Sequence, residues 1–221
     1  MVESIDEYHK LYEKVRVWEN NSWFGIPMWK LPMDAFVIQQ LIVDLRPSWI
    51  IETGTGYGGS AMFYASICEL LGEGNVVTID IEEKVGELHK EISQYEWSDR
   101  ITFLHGSSTN PLIVEQVWRT TGYDDLERFS YSNGAFVLLD SWHEKDHVLK
   151  EMDIYSKFVH SGGYMIVEDT HANGHPVPWK YGDGPYEAVE EWLKENKNWS
   201  PDYSCEKHLM TFNPMGFLRR I

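Results

Sequence analysis

The sequence has two cysteines in 221 residues, Cys68 and Cys205. Two thiols cannot build a disulfide framework or a cysteine-rich zinc site, so both read as reduced thiols of a cytoplasmic protein. It lacks any apolar run near the roughly 20 residues needed to span a bilayer. The opening MVESIDEYHK has no basic region leading into an apolar one, so no secretory leader is expected. Basic residues are scarce: 19 Lys and Arg stand against 35 Asp and Glu, for a formal charge of −16. No basic cluster exceeds a pair, which disfavours nucleic acid and anionic membranes as partners. A neutral or cationic small molecule fits this charge, as does a ligand bridged by a metal cation. Internal repeats, low-complexity segments and a dividing linker are also missing.

What is present is a folding composition, 43% hydrophobic and 14% aromatic, at a length typical of one domain. Residues 1 to about 19 have apolar residues at helical spacing (Ile5, Tyr8, Leu11, Tyr12, Val15). NNSWFGIPMWKLPMD then breaks the pattern, and DAFVIQQLIVDLRP reads as a helix with Asp34 as its N-cap and Pro47 beyond its end. Residues 1–46 thus form a helical extension and lid, and 47–221 the core of a single domain. In that core short apolar runs (WIIET, NVVTID, ITFLHG, GAFVLLD, GYMIVED) alternate with helical patterns, among them GSAMFYASICELLG, EEKVGELHKEISQY, PLIVEQVWRT, HVLKEMDIYSKFV and GPYEAVEEWLKEN. Two further strands are expected near YSCEKH and GFLRRI. Alternation of this kind specifies an α/β, Rossmann-like fold: a mostly parallel sheet with helices on both faces.

In such sheets ligands bind beyond the carboxyl ends of the strands, near the switch point. All five strand ends here are polar, glycine-rich or acidic: ETGTGYGGS, Asp80, HGSS, Asp140, and Glu168-Asp169. Gly54, Gly56 and Gly58 permit a tight turn and close approach of a ligand. Asp80 can accept from two ribose hydroxyls. The string also satisfies the dinucleotide pattern, but Glu52, two residues before the first glycine, would repel a pyrophosphate. It suits the ammonium and sulfonium of S-adenosylmethionine, so that cofactor is expected.

Asp140, Glu168 and Asp169 would meet at adjacent strand ends. Three carboxylates repel unless a cation neutralises them, and oxygen ligands suit Mg²⁺ or Mn²⁺. The same region contains H-E-x-x-H, His143 to His147, the layout of a zinc protease on a helix. That reading needs the motif inside a long helix and would leave the glycine turn and Asp80 without a role. His89-Lys90-Glu91 matches an iron-binding triplet, but it sits on a charged helix face and is rejected as a site. A non-enzyme, a cofactor-binding module serving a partner, is the other alternative; three mutually repelling acids argue against it.

IIETGTGYGGSAMFYASI, VVTIDIE, LHGSS, LLDSWHEKDHVLKEMDIY, GGYMIVEDT and GPYEAVEEWL…FNPMGFLRR, with the lead-in WFGIPMWKLPMD, resemble the cephalosporin hydroxylase/rhamnosyl O-methyltransferase family from Trp23 to Arg220. More distantly, Asp140-Ser141-Trp142-His143 is similar to the Asp-His-Trp-Lys segment of catechol O-methyltransferase. The resemblance implies a class I methyltransferase with a seven-stranded sheet and a metal on Asp140, Glu168 and Asp169. Hydroxylation is not implied, since no iron triad or flavin site is present to supply redox chemistry. The expected cofactor residues are Glu52, Gly54, Thr55, Gly56, Ser60, Asp80, Ser107, Ser108, Asp140 and Trp142. His143 is expected to be the base that deprotonates a metal-bound hydroxyl of a sugar or glycosylated natural product. Trp23, Lys30, His171, Trp179 and Tyr181 are candidates for acceptor contact. THANGHPVPWKYGDGP reads as a mobile lid, and SWFGIPMW either covers the pocket or packs in a homo-oligomer.

Overall fold

The computed structural model describes residues 2–82, 90, 92–123, 133–178 and 182–221. Helix α1 (Val2–Val15) and a 3₁₀ turn (Val17–Asn20) lead into a two-stranded hairpin, β1 (Ser22–Trp23) and β2 (Ile26–Pro27). The sequence offers only a break in pattern there. The turn residues Phe24 and Gly25 both take positive φ, 50° and 83°, which matches the twist of a two-residue hairpin loop. Phenylalanine seldom adopts that conformation. Its ring is held against Trp97 and Tyr95, at 5.1 and 5.5 Å, and the Tyr95 hydroxyl donates to the Phe24 carbonyl at 3.0 Å.

Helix α2 (Pro32–Leu45) begins at its proline, with Leu31 in the N-cap position. Asp34 is therefore not the N-cap. It lies inside the first turn, buried, where its Oδ2 accepts the backbone N–H of Phe212 at 2.8 Å. Burial pushes its carboxyl up to about 7, against the opposing hydrogen bonds from Thr211 and Phe212.

The core alternates as expected. Strand β3 (Trp49–Thr53) leads to α3 (Gly59–Leu71), then come β4 (Asn75–Asp80), β5 (Ile101–His105) and α4 (Pro111–Thr121). Strand β6 (Ala135–Leu139), α5 (Lys145–Tyr155), β7 (Tyr164–Val167), α6 (Pro185–Glu195), β8 (Trp199–Pro201) and β9 (Phe217–Arg220) complete it. The seven strands run in the order β5-β4-β3-β6-β7-β9-β8, parallel through β7, with β9 antiparallel to both its neighbours. The order reverses between β3 and β6, which is the switch point. Strand β6, AFVLL, is buried on both faces and so reads as a continuous apolar run. On one side Ile50, Phe136 and Leu138 pack with Ile38 and Ile42 of α2 and with Met62 and Tyr64 of α3. On the other, Ile51, Val137 and Leu139 pack with Val117, Met152, Val189 and Trp192.

Two sequence expectations need correction or limits. The segment YSCEKH is not a strand: Tyr203–Glu206 is a 3₁₀ turn, and the strand lies earlier, at Trp199–Pro201. The Asp202 side chain accepts the Ser204 N–H at 3.0 Å, and this local bond turns the chain out of the extended form. The amphipathic helix expected in EEKVGELHKEISQY falls largely outside the described residues. Among the described residues, no helix is long and apolar enough to cross a membrane.

Candidate active site

The site is built where β3 and β6 separate. Gly54 takes φ +89°, and a Cβ placed there would lie 1.8 Å from the Asp140 carbonyl oxygen. Only glycine lets the two strand ends come this close. The ends are tied in series: Asp140 N–H donates to Thr53 O at 2.9 Å, and Glu168 N–H to Leu139 O at 3.0 Å. Gly59 is the second close approach, since its Cβ would meet the Pro27 carbonyl at 2.2 Å. The hairpin segment is therefore seated on the start of α3.

A cavity of about 1000 Å³ opens over these strand ends. Of the expected cofactor residues, Gly54, Thr55, Gly56, Ser60, Asp80, Ser107, Ser108, Asp140 and Trp142 line it. Asp80 accepts the Gly56 N–H at 2.9 Å and the Glu82 N–H at 3.0 Å, so its carboxylate is oriented across the glycine turn. Glu52 is different. It is fully buried beneath the floor, where its Oε2 accepts from Thr78 Oγ1 at 2.7 Å. Burial pushes its carboxyl up to about 7, offset in part by Lys30, Ser60 and Thr78.

At the other end lie the acids, and here the structure regroups the expected set. Lys30, on the segment between the hairpin and α2, sends its side chain under the strand ends. Its Nζ donates to Asp140 Oδ2 at 2.9 Å and to both oxygens of Glu168 at 2.6 and 2.7 Å. Lys30 is 3% exposed and Glu168 6%. Burial works to lower the ammonium's pKa, but the charges of Asp140 and Glu168 outweigh it and hold it well above the ordinary lysine value. Burial likewise raises the carboxyls of Asp140 and Glu168, with Lys30 opposing. Glu168 therefore faces Lys30 and not the cavity, which it does not line. Among the described residues the group whose ligand atoms converge, all within 4.8 Å of one another, is Asp140, His143 and Asp169.

Asp169 takes a positive φ of 58°, and its N–H donates to Oδ1 of the buried Asn213 at 3.0 Å. This strained backbone aims its carboxylate at two imidazoles. Oδ2 lies 3.2 Å from His143 Nε2, and Oδ1 lies 3.6 Å from His171 Nδ1. His171 Nδ1 also sits 2.8 Å from the Phe212 carbonyl, which can only accept, so that nitrogen carries the proton.

The H-E-x-x-H motif does not form one helical face. Helix α5 starts at Lys145, so His143 precedes it and Glu144 is the N-cap. His143 turns to Asp169, whereas His147 Nε2 meets Ser141 Oγ at 3.1 Å and Ser108 Oγ at 3.3 Å. The two imidazoles serve different neighbours, and the zinc-protease geometry is not there.

The remaining candidates separate as follows. Lys30 and His171 line the cavity. Trp23 does not: its indole N–H donates to Ser66 Oγ at 3.1 Å and its ring packs on Phe63 at 4.9 Å. Trp179 and Tyr181 lie outside the described residues. The described part of the segment expected as a lid is pinned by Glu187, which accepts from Asn173 at 2.9 Å, His175 at 3.0 Å and the Gly184 N–H at 2.8 Å. Sequence reasoning missed the Lys30 ion pairs and Glu13, which also lines the cavity. A lone lysine in the apolar stretch GIPMWKLPM was the available signal, since a charge in such surroundings needs a buried partner.

The strand order, the switch point between β3 and β6 and the antiparallel β9 define a class I methyltransferase fold. An apo structure of CmcI superposes with a TM-score of 0.65 at 21% identity, covering 92% of this chain and 77% of that one. A CmcI structure with Mg and SAM gives 0.61 at 21% identity over the same shares.

The chain belongs to the family described as Rhamnosyl O-methyltransferase/CmcI, which matches residues 15–221. It is 37% identical over 222 residues to a Rhamnosyl O-methyltransferase of Mycobacterium tuberculosis, covering 97% of this chain and 84% of that protein. To the Rhamnosyl O-methyltransferase of Mycobacterium leprae it is 35% identical over 218 residues, covering 97% and 90%.

Proposed function

We propose that this protein transfers the methyl group of S-adenosylmethionine to a hydroxyl of a sugar or glycosylated natural product, with a divalent cation, Mg²⁺ or Mn²⁺, at Asp140 and Asp169. One observation carries the reading: a single cavity joins the glycine turn, Asp80 and the Ser107-Ser108 pair to the convergent Asp140, His143 and Asp169. The relatives named Rhamnosyl O-methyltransferase support a sugar-bearing acceptor. The CmcI structure with Mg and SAM supports the cofactor and the cation.

The donor set suits a hard dication. Asp140 and Asp169 offer carboxylate oxygens within 4.8 Å of each other, hard ligands of the kind Mg²⁺ and Mn²⁺ take. A bound dication would supply Lewis acidity to the acceptor hydroxyl and its neighbour. Lys30 keeps Glu168 turned inward and fixes one oxygen of Asp140, leaving the other for the cavity. Asp169, braced by Asn213, orients the imidazole of His143. His143 takes the hydroxyl proton as the oxygen attacks the methyl carbon and the carbon–sulfur bond breaks, its electron pair staying on sulfur. Positioning of the two reactants by one rigid sheet end supplies much of the rate. Residues 1–46 contribute Met28, Trp29 and Lys30 to the cavity wall.

The test begins with calorimetric titration of S-adenosylhomocysteine into chelator-dialysed protein, where binding is expected without metal. Methylation of methyl α-L-rhamnopyranoside should then require added Mg²⁺. The variant His143→Ala should keep its S-adenosylhomocysteine affinity and lose about 10² to 10⁴-fold in kcat. An unchanged rate across pH would remove His143 as the base, and absence of cofactor binding would remove the methyl-transfer reading.

A further inference from the structure

The acid end of the cavity holds a carboxyl that the mechanism above does not use. Glu13, in the last turn of α1, is mostly shielded, its side chain 16% exposed. Its Oε2 lies 3.9 Å from His171 Nε2, and the other nitrogen of that ring lies 3.6 Å from Asp169. One imidazole thus separates Glu13 from the acid that faces His143. Beside it, Trp18 stands edge-on to Trp29 at 5.6 Å and to Phe212 at 6.4 Å, and all of these rings line the same space.

Among the described residues the cationic side chains lining the cavity are Arg16 and Lys30, and both are engaged. Arg16 pairs with Glu19, and Lys30 with Asp140 and Glu168. An anionic acceptor would meet acids with no uncommitted cation among these groups. An uncharged polyol meets hydrogen-bond partners and an apolar aromatic wall, the mixture that a sugar ring matches.

Resting on the methyl-transfer reading, we infer that Glu13 and Trp18 form the acceptor-recognition subsite for an uncharged pyranoside. One sugar hydroxyl donates to Glu13, the apolar face of the ring lies against Trp18, and a neighbouring hydroxyl reaches Asp169 and His143. A nucleotide-activated sugar would bring its diphosphate against the Glu13 carboxylate.

The probe is methyl α-L-rhamnopyranoside, titrated into protein loaded with S-adenosylhomocysteine and Mg²⁺. Wild type should bind it. Glu13→Gln, nearly isosteric, and Trp18→Ala should each weaken it about tenfold or more, as expected for a lost charged hydrogen bond or aromatic wall. Affinity for S-adenosylhomocysteine should stay within about twofold in both, which guards against a merely misfolded variant. Rhamnose linked to a nucleoside diphosphate should bind at least about tenfold more weakly than the methyl glycoside. No glycoside binding to wild type, unchanged binding in both variants, or equal or tighter binding of the nucleotide sugar would each overturn the subsite. Glycoside binding that the variants lose, without methyl transfer by wild type, would keep the subsite and overturn the reaction; methyl transfer with variants of unaltered glycoside affinity would do the reverse.

Discussion

Replacing Lys30 by Met removes the one ammonium that, among the described residues, touches Asp140 and Glu168, at contacts of 2.6 to 2.9 Å and with Glu168 buried. Breaking a buried pair by deleting one partner costs about 3–5 kcal/mol, because the other charge stays desolvated. That cost holds only while the carboxyls are ionised. Burial raises both carboxyls and losing Lys30 raises them further, so in chelator the loss should be larger at pH 8 than at pH 5, falling toward the ~1–2 kcal/mol of lost hydrogen bonds as the carboxyls take up protons. With a urea slope of roughly 2–3 kcal/mol per molar, the pH 8 midpoint should drop by about 1–2.5 M. The double variant Lys30→Met/Glu168→Met should regain most of this, since an apolar pair of similar volume can replace a buried ion pair at little cost. Urea unfolding at the two pH values measures all of it. A Lys30→Met loss below about 1 kcal/mol at pH 8, or one equal at both pH values, would refute the assignment of Lys30 as the buried counter-charge.

Glu52 gives a prediction with the opposite perturbation. Its folded carboxyl is raised to about 7 from an ordinary 4.5, so the folded state binds the extra proton and wild-type stability falls as pH rises between these values. Glu52→Gln should therefore stabilise the protein by up to about 3 kcal/mol at pH 8 and change little at pH 4.5, read as the difference in unfolding free energy. Gly54→Ala forces a methyl into the Asp140 carbonyl at a positive φ; a loss of at least about 3 kcal/mol and of S-adenosylhomocysteine binding is expected, and a calorimetric trace matching wild type would contradict it. Asn213→Ala removes the acceptor for the Asp169 N–H, so Mn²⁺ affinity measured by electron paramagnetic resonance should weaken about tenfold or more; an unchanged affinity would show that Asp169 needs no brace.

Much of the fold was legible because its signals are local. Apolar runs such as AFVLL, proline starts such as Pro111 and Pro185, and glycines at the first strand end each act within a few residues. The polar character of the strand ends was also local, and it pointed to the cavity that most of the expected cofactor residues line. What could not be read depends on distance along the chain. Lys30 and Glu168 are 138 positions apart, and no periodicity announces their contact. It is that contact which turns Glu168 inward and leaves His143 beside Asp140 and Asp169. The eighth strand was misplaced for a smaller reason, a single Asp202 side chain competing with extended backbone. The H-E-x-x-H string misled because spacing implies a helix only when the helix has already begun, and here it begins two residues late.

The seating of the acidic strand end has a consequence for how the protein is made. Val167 N–H donates to Gly216 O, His171 N–H to Phe212 O, and Asp169 N–H to the Asn213 side chain. Strand β9 then slots between β7 and β8. These three braces on the β7 end come from residues 212–216, some 45 positions downstream by the numbering of the partners. A ribosome adding roughly 5–20 residues per second leaves β7 with an open hydrogen-bonding edge for several seconds. During that interval the glycine turn and Asp80 can already be in place while Asp169 cannot. The glycine turn can thus find its partners before the acid end can, and a chaperone that shields an exposed strand edge would have its moment there.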